Sequence, residues 1–398
     1  MRVLFLAHRL PFPPNKGDKI RSYNELHYLA QRHEVHVATL VDDASDLKHV
    51  PALQAQVRSL VFERIDSRLR KVFAARSLLG SRPVTLSYFY SPELQRRIDA
   101  LIDQHDFDCC ICFSSPMAEY LFRSRHAQGK LRNVARLMDF IDIDSLKWAQ
   151  YAERSPPWKA WIYRHEAVSL ARYERRIAEQ FDRLFVVSEQ ERALFPGGAP
   201  PNLHAMSNGV DLDFFSPTQG KRGSLGKRAL VFTGVMNYWP NIEGVQWFVE
   251  QVLPQVQAAL ADTTFHIVGS KPSPEVRRLA ERPGVFVTGF VEDVRDYLVS
   301  AAVCVVPLRI ARGIQNKVLE AMAMGRPIVS TPQAFEGVHA ERGRDVAVAA
   351  DASAFAAAVV ALLQDPDSAE RLGANARACV ERHYSWSENL QLLDRLEQ

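Results

Sequence analysis

The stretch Val303–Thr331, VCVVPLRIARGIQNKVLEAMAMGRPIVST, predicts a strand, a loop and a helix in succession. Its first four residues form an apolar run typical of a buried parallel strand, and Pro307 ends the strand because proline cannot donate to a central ladder. The loop that follows carries Arg309 and Arg312, and the apolar spacing beyond it predicts a helix that ends near Gly325. Basic loop residues before a helix N-terminus favour an anionic ligand at this place.

Three polar or small residues mark the start of the predicted helix. Gly313, Lys317 and Glu320 are spaced i, i+4 and i+7, so they share one stripe. A Lys–Glu pair taken alone is commonly a solvated surface pair of little energetic worth. The loop arginines, the glycine and the strand–loop–helix context favour a phosphate-binding site over that alternative.

Composition limits the class of protein. The 398 residues, 47% hydrophobic and 24% charged, are typical of a globular chain of about two domains. Lys+Arg 49 against Asp+Glu 46 gives +3, which does not predict binding to nucleic acid. The five cysteines show no disulfide or zinc spacing, which fits a reducing compartment. The opening MRVLFLA predicts a strand rather than a signal peptide, and no run reaches the ~18 apolar residues of a membrane span, so we expect a cytoplasmic location.

Strands and helices alternate along the chain, which predicts α/β architecture with parallel sheets. Residues 50–76 are predicted to be mainly helical with a short strand at 60–63, and 156–181 to be one long helix. We predict four segments: a Rossmann-like domain at 1–205, a Pro- and Gly-rich connection at 206–228, a second Rossmann-like domain at 229–378, and a C-terminal helix at 379–398 that packs toward the first domain. A ligand is expected in the cleft between two such domains facing one another.

Several short motifs together resemble the family-four glycosyltransferases of the GT-B fold. The pieces that carry the resemblance are Gly234-Val-Met-Asn-Tyr-Trp-Pro-Asn241, Ile267-Val-Gly-Ser-Lys-Pro272, Val287-Thr-Gly-Phe-Val291, Asn316-Lys-Val-Leu-Glu-Ala-Met-Ala-Met-Gly325 and Ser207-Asn-Gly-Val-Asp211. Each is weak alone, but they occur in order and at suitable spacing. The sequence as a whole is similar to that of sugar transferases associated with bacterial exosortase and exopolysaccharide systems.

The resemblance implies transfer of a sugar, with retention of configuration and without a metal or other cofactor, from a nucleotide sugar to a glycan or polyprenyl-lipid-linked acceptor. The second domain would hold the donor. By this resemblance Glu320 binds the ribose hydroxyls, and the backbone around Gly289 and Val291 meets the base. The diphosphate would be bound by backbone N–H groups and close glycine approaches at the remaining donor positions, which are Gly17, Gly234, Gly313, Ile314, Gln315 and Asn316.

Two departures from the family pattern concern the phosphates. Arg312 stands where the family often has a glutamate that contacts the sugar, and the loop Gly234–Gly244 lacks the usual basic residues. The phosphate charge would then be met by Arg309, Arg312, Lys317 or Lys271, and a guanidinium suits the task because its donors form a fork. We therefore take Arg309, Arg312 and Lys317 as catalytic candidates.

Acceptor candidates follow the strands of the first domain. Asp142 is a candidate base for the acceptor proton, with Asp139, Asp144 and His8 as acceptor-binding candidates. Helix capping and a structural histidine are the alternatives. Asp142-Ile-Asp144 also resembles the metal-binding DxD of the other glycosyltransferase fold, although the surrounding chain does not.

Two segments, 64–82 and 158–176, alternate basic residues with apolar and aromatic ones. Basic amphipathic helices bind anionic membrane surfaces, which predicts peripheral contact with the inner face of the cytoplasmic membrane; a solvated helix face is the alternative.

Rival functions remain open at this stage. An NAD-dependent oxidoreductase is disfavoured because the first loop, HRLPFPPNKG, has no G-x-G-x-x-G. A sugar-nucleotide 2-epimerase shares the GT-B fold, and a non-catalytic sugar-nucleotide-binding protein is compatible with Arg312.

Overall fold

A computed structural model describes residues 1–223 and 225–397, without the side chains of residues 71, 72, 75, 79 and 395–397. The chain divides into two compact units. Unit 1 comprises Met1–Met206 together with the chain from Leu390 onward, and unit 2 comprises Ser207–Asn389. Within the described ranges, no helix is long and apolar enough to cross a membrane.

Unit 1 is built on a parallel sheet with the order β3-β2-β1-β4-β5-β6-β7 among the described residues. Its strands are β1 (Arg2–Ala7), β2 (Glu34–Val41), β3 (Ser59–Arg64), β4 (Cys109–Phe113), β5 (Ala135–Ile141), β6 (Arg183–Val186) and β7 (Leu203–Ala205). β4 is buried throughout and β1 from Val3 on, as expected for central parallel strands covered by helices on both faces. The strand order reverses beside β1, so β1 and β4 flank a topological switch point.

The helices of unit 1 vary in length from a single turn to more than six turns. They are α1 (Gly17–Ala30), α2 (Val50–Gln54), α3 (Ser67–Ala75), α4 (Val84–Phe89), α5 (Pro92–Gln104), α6 (Ala118–Phe122), α7 (Asp144–Glu153), α8 (Pro157–Gln180) and α9 (Glu189–Ala193). Residues Leu390–Glu397 add a 3₁₀ segment, in which Leu390 and Leu393 are buried.

Unit 2 contains a second parallel sheet with the order β10-β9-β8-β11-β12-β13 in the described part of the chain. Its strands are β8 (Ala229–Thr233), β9 (Thr264–Val268), β10 (Val285–Gly289), β11 (Val303–Val306), β12 (Ile328–Ser330) and β13 (Ala347–Val348). Here β8 and β11 flank the switch point. Open α/β sheets bind ligands at the carboxyl ends of the strands at such a point.

The helices of unit 2 cover both faces of this sheet. They are α10 (Trp239–Trp247), α11 (Leu253–Ala259), α12 (Pro274–Arg278), α13 (Arg295–Ser300), α14 (Asn316–Ala323), α15 (Pro332–Phe335), α16 (Ala352–Gln364), α17 (Pro366–His383) and α18 (Trp386–Asn389). A π-helical turn, Phe248–Val252, joins α10 to α11. Phe248 packs against Phe265 and Phe355 at ring-centroid distances of 4.5 and 5.8 Å, which gives this unit a core of its own.

The predicted α/β class with two Rossmann-like sheets is confirmed, and so is the long helix at 156–181. The short strand predicted at 60–63 within the helical segment 50–76 is present as the edge strand β3, which is two residues longer, and α2 and α3 flank it. The predicted terminal helix is also interrupted: α17 ends at His383, and a short helix and a 3₁₀ segment follow.

Candidate functional site

Glycines end the three neighbouring strands β8, β9 and β10. The Gly234 amide donates to the Val268 carbonyl at 3.0 Å, and the Gly269 amide donates to the Gly289 carbonyl at 3.2 Å. Gly269 has φ +151°, and a Cβ there would lie 1.7 Å from the Gly234 carbonyl oxygen. The strands can therefore approach so closely only because no side chain intervenes. The result is a backbone-lined floor at the carboxyl edge of the sheet.

The loop after β11 leads from this edge into α14. Gly313 adopts φ +61°, which favours glycine, and the Gln315 side-chain amide donates to the Arg312 carbonyl at 2.8 Å. The Asn208 side-chain amide donates to Asn316 Oδ1 at 2.9 Å and fixes the first residue of α14. The loop therefore delivers the N-terminus of α14, with its partial positive charge, to the switch point.

Lys317 reaches from the first turn of α14 back to the loop after β8. Its Nζ donates to Asn241 Oδ1 at 2.7 Å and lies 4.4 Å from the centroid of the Phe232 ring. A Cβ on Gly234 would lie only 3.1 Å from the same Nζ. The ammonium of Lys317 thus occupies the end of β8, beside a loop that has no basic residue of its own.

Lys317 and Glu320 form a half-buried pair on α14. Burial lowers the pKa of Lys317 to about 7, and the charge of Glu320 limits that fall. Burial likewise raises the pKa of Glu320 to about 7, and the charge of Lys317 limits that rise. The two groups therefore change charge in the same pH range, and an anion brought to Lys317 would favour its protonated form.

Arg309, predicted to meet the phosphate, has two partners on α10. Its guanidinium pairs with the Glu243 carboxylate and lies over the Trp247 ring, 5.4 Å from the centroid. Glu243 follows Asn241 by two residues on α10, so the two side chains leave the helix in nearly opposite directions. Arg309 therefore lies on the side of α10 that faces away from Lys317, where it lines a cavity of about 450 Å³.

The other predicted donor residues of unit 2 lie in several places. Arg312 is largely buried and approaches Glu336 at 3.8 Å, and Ile314 is buried. Lys271, exposed at φ +55°, follows β9. Val291 lines a cavity of about 710 Å³ that is bordered by charged residues, among them Lys221, Glu292, Asp293, Arg295 and Asp296.

In unit 1, Gly17 is the first residue of α1, and His8 follows β1. His8 is buried, stacks on Phe113, and its Nε2 lies 3.4 Å from Asp18 Oδ2. Burial would raise the pKa of Asp18, but its hydrogen bond with His8 and the charge of Arg9 outweigh burial and hold the pKa well below its usual range. His8 is therefore fixed in orientation beside a charged carboxylate.

Asp139 is not placed to contact an acceptor. It is 1% exposed, and its Oδ2 lies 2.5 Å from Nε of the fully buried Arg21. Its Oδ1 accepts from the Ile141 amide at 2.8 Å. Arg21 also lies 3.1 Å from Glu25, whose pKa is raised by burial and by the charge of Asp139. The prediction of Asp139 as an acceptor ligand is therefore replaced by a structural role inside a buried ionic cluster.

Asp142 and Asp144 lie at the start of α7. Burial, reinforced by the charge of Glu191, raises the pKa of the half-buried Asp142 to about 7. Asp144 Oδ1 lies 3.4 Å from Lys147 Nζ, and its other oxygen accepts a long contact from the Ser115 hydroxyl at 3.5 Å. In the described chain, no group of three or more His, Cys, Asp and Glu residues is arranged to hold a metal ion.

Two buried glutamates, Glu174 and Glu191, hold the start of α7. Glu191 Oε2 accepts from the Ile143 amide at 3.0 Å, and Glu174 Oε1 accepts from the Ser145 amide at 3.0 Å. Burial raises the pKa of Glu174 to about 7, although the hydrogen bonds from Ser145 oppose this. The Glu191 amide in turn donates to the Ser188 side chain, which caps α9.

Backbone strain occurs at the carboxyl ends of β4 and β5. Ser114 has φ +77° and Ile141 has φ +68°, both unfavourable for residues with a side chain. The Ser114 amide donates to the Asp139 carbonyl at 2.7 Å, which joins the two strained turns. Strain of this kind is concentrated at functional sites, so this edge of unit 1 is a second candidate site.

Comparison with known proteins finds a family match within unit 2. Residues 227–365 match the family described as Glycosyl transferases group 1. The chain is 28% identical over 235 residues to a GDP-mannose-dependent monoacylated alpha-(1-6)-phosphatidylinositol monomannoside mannosyltransferase of Corynebacterium glutamicum. That match spans 53% of this chain and 61% of the relative. A Klebsiella pneumoniae protein described as an uncharacterized protein of the cps region is 18% identical over 96% of both chains.

Solved structures resemble the chain over its whole length. Anabaena HepE in complex with UDP and glucose matches with a TM-score of 0.66 at 14% identity and covers 99% of this chain and 98% of its own. Sucrose-phosphate synthase from Thermosynechococcus elongatus matches with a TM-score of 0.72 at 17% identity, over 100% and 98%. These likenesses show the fold, two Rossmann-like domains of the GT-B kind.

Proposed function

We propose that this protein, whose residues 227–365 match the family described as Glycosyl transferases group 1, is a retaining glycosyltransferase. It moves a sugar from a nucleotide diphosphate donor to a glycan or polyprenyl-lipid-linked acceptor. The observation that carries the proposal is the Lys317 ammonium beside Gly234, at the start of α14 and at the switch point of the sheet. This arrangement suits a diphosphate, which needs a cation, helix N–H groups and an approach without side chains.

On this proposal Glu320 accepts the ribose hydroxyls, and the backbone at Gly289 and Val291 meets the base. The N–H groups of residues 313–316 bind the diphosphate oxygens, and Lys271 contributes at its margin. Lys317 replaces the basic residues that the loop 234–244 lacks, because its side chain reaches that loop from α14. Negative charge grows on the diphosphate as its bond to the anomeric carbon breaks, so a cation held there stabilises the transition state.

For the acceptor, the hydroxyl oxygen bonds to the anomeric carbon and its proton must pass to a base. Asp142 is our candidate, since a carboxylate whose pKa is about 7 is matched to proton transfer near neutrality. His8 and Asp144 would orient the acceptor at the same edge of unit 1. The names of the relatives support a lipid-linked acceptor, and the cps-region protein supports a role in exopolysaccharide or cell-surface polysaccharide synthesis at the inner face of the membrane.

Product analysis with radiolabelled UDP-glucose and GDP-mannose tests the proposal, with bacterial lipid extract as acceptor. We expect label to appear in the lipid fraction, and NMR should show that the sugar is α-linked, as it is in these α-donors. Labelling and linkage should be unchanged when EDTA is present. Free epimerised sugar nucleotide would instead indicate the 2-epimerase. Binding of the donor without any product would indicate a non-catalytic binding protein.

A further inference from the structure

Helix α8 displays an apolar stripe to solvent. Trp158, Trp161, His165, Val168 and Arg172 are spaced 3, 4, 3 and 4 residues apart, so they lie along one face. The side chains of Trp158, Trp161 and Val168 are 66%, 56% and 52% exposed. Tryptophans are seldom left open to water, and two on one helical face together with a valine indicate a surface that another apolar phase covers.

The charges of α8 are sorted between its two faces. Its basic residues from 157 to 176 are exposed, and they are Lys159, Arg164, Arg172, Arg175 and Arg176. Over the same residues its only carboxylates, Glu166 and Glu174, are buried. Between residues 157 and 176 the exposed part of this helix is therefore cationic and apolar, and the exposed carboxylate Glu179 lies beyond it, in the last turn.

Each buried glutamate has a partner that explains its position. Glu166 accepts from the Val84 and Thr85 amides at 2.6 and 2.8 Å, and so caps α4. Glu174 caps α7 through Ser145. The charge sorting on α8 is thus fixed by hydrogen bonds inside unit 1.

A second segment with the same character adjoins this face. His165, in the middle of the stripe, pairs its Nε2 with the Gly80 carbonyl at 2.7 Å, just after α3. On α3, Leu69 and Phe73 are 60% and 57% exposed; Arg68 on this helix and Arg76 just after it are exposed as well. The sequence from Ser67 to Pro92 contains no acidic residue.

We propose that these two segments form one membrane-docking surface for an anionic lipid bilayer. We define it by its apolar residues Leu69, Phe73, Trp158, Trp161 and Val168 and its basic residues Arg68, Arg76, Lys159, Arg164 and Arg172. Tryptophan rings lie at the level of lipid headgroups, aliphatic side chains enter the acyl boundary, and arginines pair with lipid phosphates. That the acceptor is lipid-linked is part of the proposed function, whereas the proposal that the protein docks on a bilayer is argued from this surface alone.

Two other occupants fit the surface less well. A second copy of the chain would bring like charges together across the interface, which disfavours self-association. A nucleic acid would satisfy the arginines, but it offers no partner for the exposed Leu69 and Val168. The bilayer is the occupant that matches both the cationic and the aliphatic side chains.

Co-sedimentation of the full chain with vesicles tests the proposal without donor or acceptor. We expect binding to vesicles of phosphatidylcholine with one third phosphatidylglycerol, and at least ~10-fold weaker binding to phosphatidylcholine alone or in high salt. Trp158→Ala with Trp161→Ala should weaken binding to the anionic vesicles ~10-fold or more, and Arg164→Glu with Arg172→Glu should do the same. The tryptophan fluorescence of the wild type should shift to the blue on binding.

Matched controls lie on unit 2. Phe286→Ala removes an aromatic side chain of similar exposure, and Arg277→Glu with Arg278→Glu reverses two exposed charges on α12. Both controls should bind the anionic vesicles like the wild type. The proposal would be overturned if the controls lost as much binding as the variants of the docking surface, or if both of those variants bound like the wild type. Vesicle binding that does not depend on lipid charge would overturn it as well. So would a dimer by light scattering that the tryptophan variant abolishes, or tighter binding to single-stranded RNA than to the vesicles. Sugar transfer to a soluble acceptor mimic is measured separately, so either proposal can fail alone.

Discussion

At the scale of single residues, Lys317 and Arg309 are the two cations to compare as partners of the donor phosphate. The Lys317 ammonium lies at the end of β8, where it donates to the neutral Asn241, whereas the Arg309 guanidinium pairs with the Glu243 carboxylate. We predict that Lys317→Met lowers turnover ~10²-fold or more, because the leaving group loses its cation. Arg309→Met should leave turnover within about threefold. Steady-state kinetics with the preferred nucleotide sugar compares the two variants, which both replace a long cation by a neutral side chain. Equal losses in both would return Arg309 to the site.

The pH dependence of donor binding follows from the same residues. Binding is proposed to need charged Lys317 and charged Glu320, and the pKa of each is about 7. Affinity for a nucleotide sugar should therefore be greatest near neutrality and fall roughly tenfold toward pH 5.5 and toward pH 8.5. Calorimetry over this range measures it, since the diphosphate of a nucleotide sugar does not titrate there. Glu320→Gln should retain only the alkaline fall, and Lys317→Met only the acid fall. A pH-independent affinity in the wild type would remove the pair from the site.

At the scale of elements, apolar periodicity predicted the central strands and α8, because burial on both faces or along one stripe leaves a local pattern. Helix α7 was missed, since its first turn depends on Glu174 and Glu191, which lie far along the chain. The direction of Arg309 was missed for a similar reason: its partner Glu243 lies 66 residues earlier. The sequence could therefore suggest which loops carry the site, but not which side chains face into it.

The edge of β9 offers a test of how the elements fit together. Gly269→Ala would place a Cβ 1.7 Å from the Gly234 carbonyl oxygen, so β8 and β9 must separate at their carboxyl ends. Gly343 also has positive φ, +80°, but no atom lies within 4 Å of the position of its Cβ. We expect a loss of ~3 kcal/mol or more in the free energy of unfolding for Gly269→Ala and about 1 kcal/mol for Gly343→Ala. Urea denaturation measures both. Similar losses would mean that backbone strain alone, and not the close approach of the strands, requires glycine at 269.

At the scale of the whole molecule, each unit has its own sheet and its own apolar core. In unit 1 the core runs from Leu4 to Leu203, and in unit 2 it surrounds Phe248. The α/β class follows directly from the alternation of the sequence. The sequence gives less indication that the last residues belong to unit 1, because this depends on two leucines, Leu390 and Leu393, and on a contact between Tyr28 and Asp394.

Separate cores predict a separate response to the donor. A ligand that binds only the folded form of unit 2 stabilises that unit by RT ln(1 + [L]/Kd), which is about 2.7 kcal/mol at 100 times Kd. Amides that exchange only when unit 2 unfolds, such as those of β8 and β11, should then exchange ~100-fold more slowly. The amides of β2 and β4 in unit 1 should keep their rates. Hydrogen exchange followed by mass spectrometry, with and without the preferred nucleotide sugar, measures both sets in one sample, and Lys317→Met serves as the control in which the slowing should be smaller at the same donor concentration. Equal slowing of exchange in both sheets would show that the molecule unfolds as a single cooperative body. Slowing confined to unit 1 would show that the donor binds unit 1 and not unit 2.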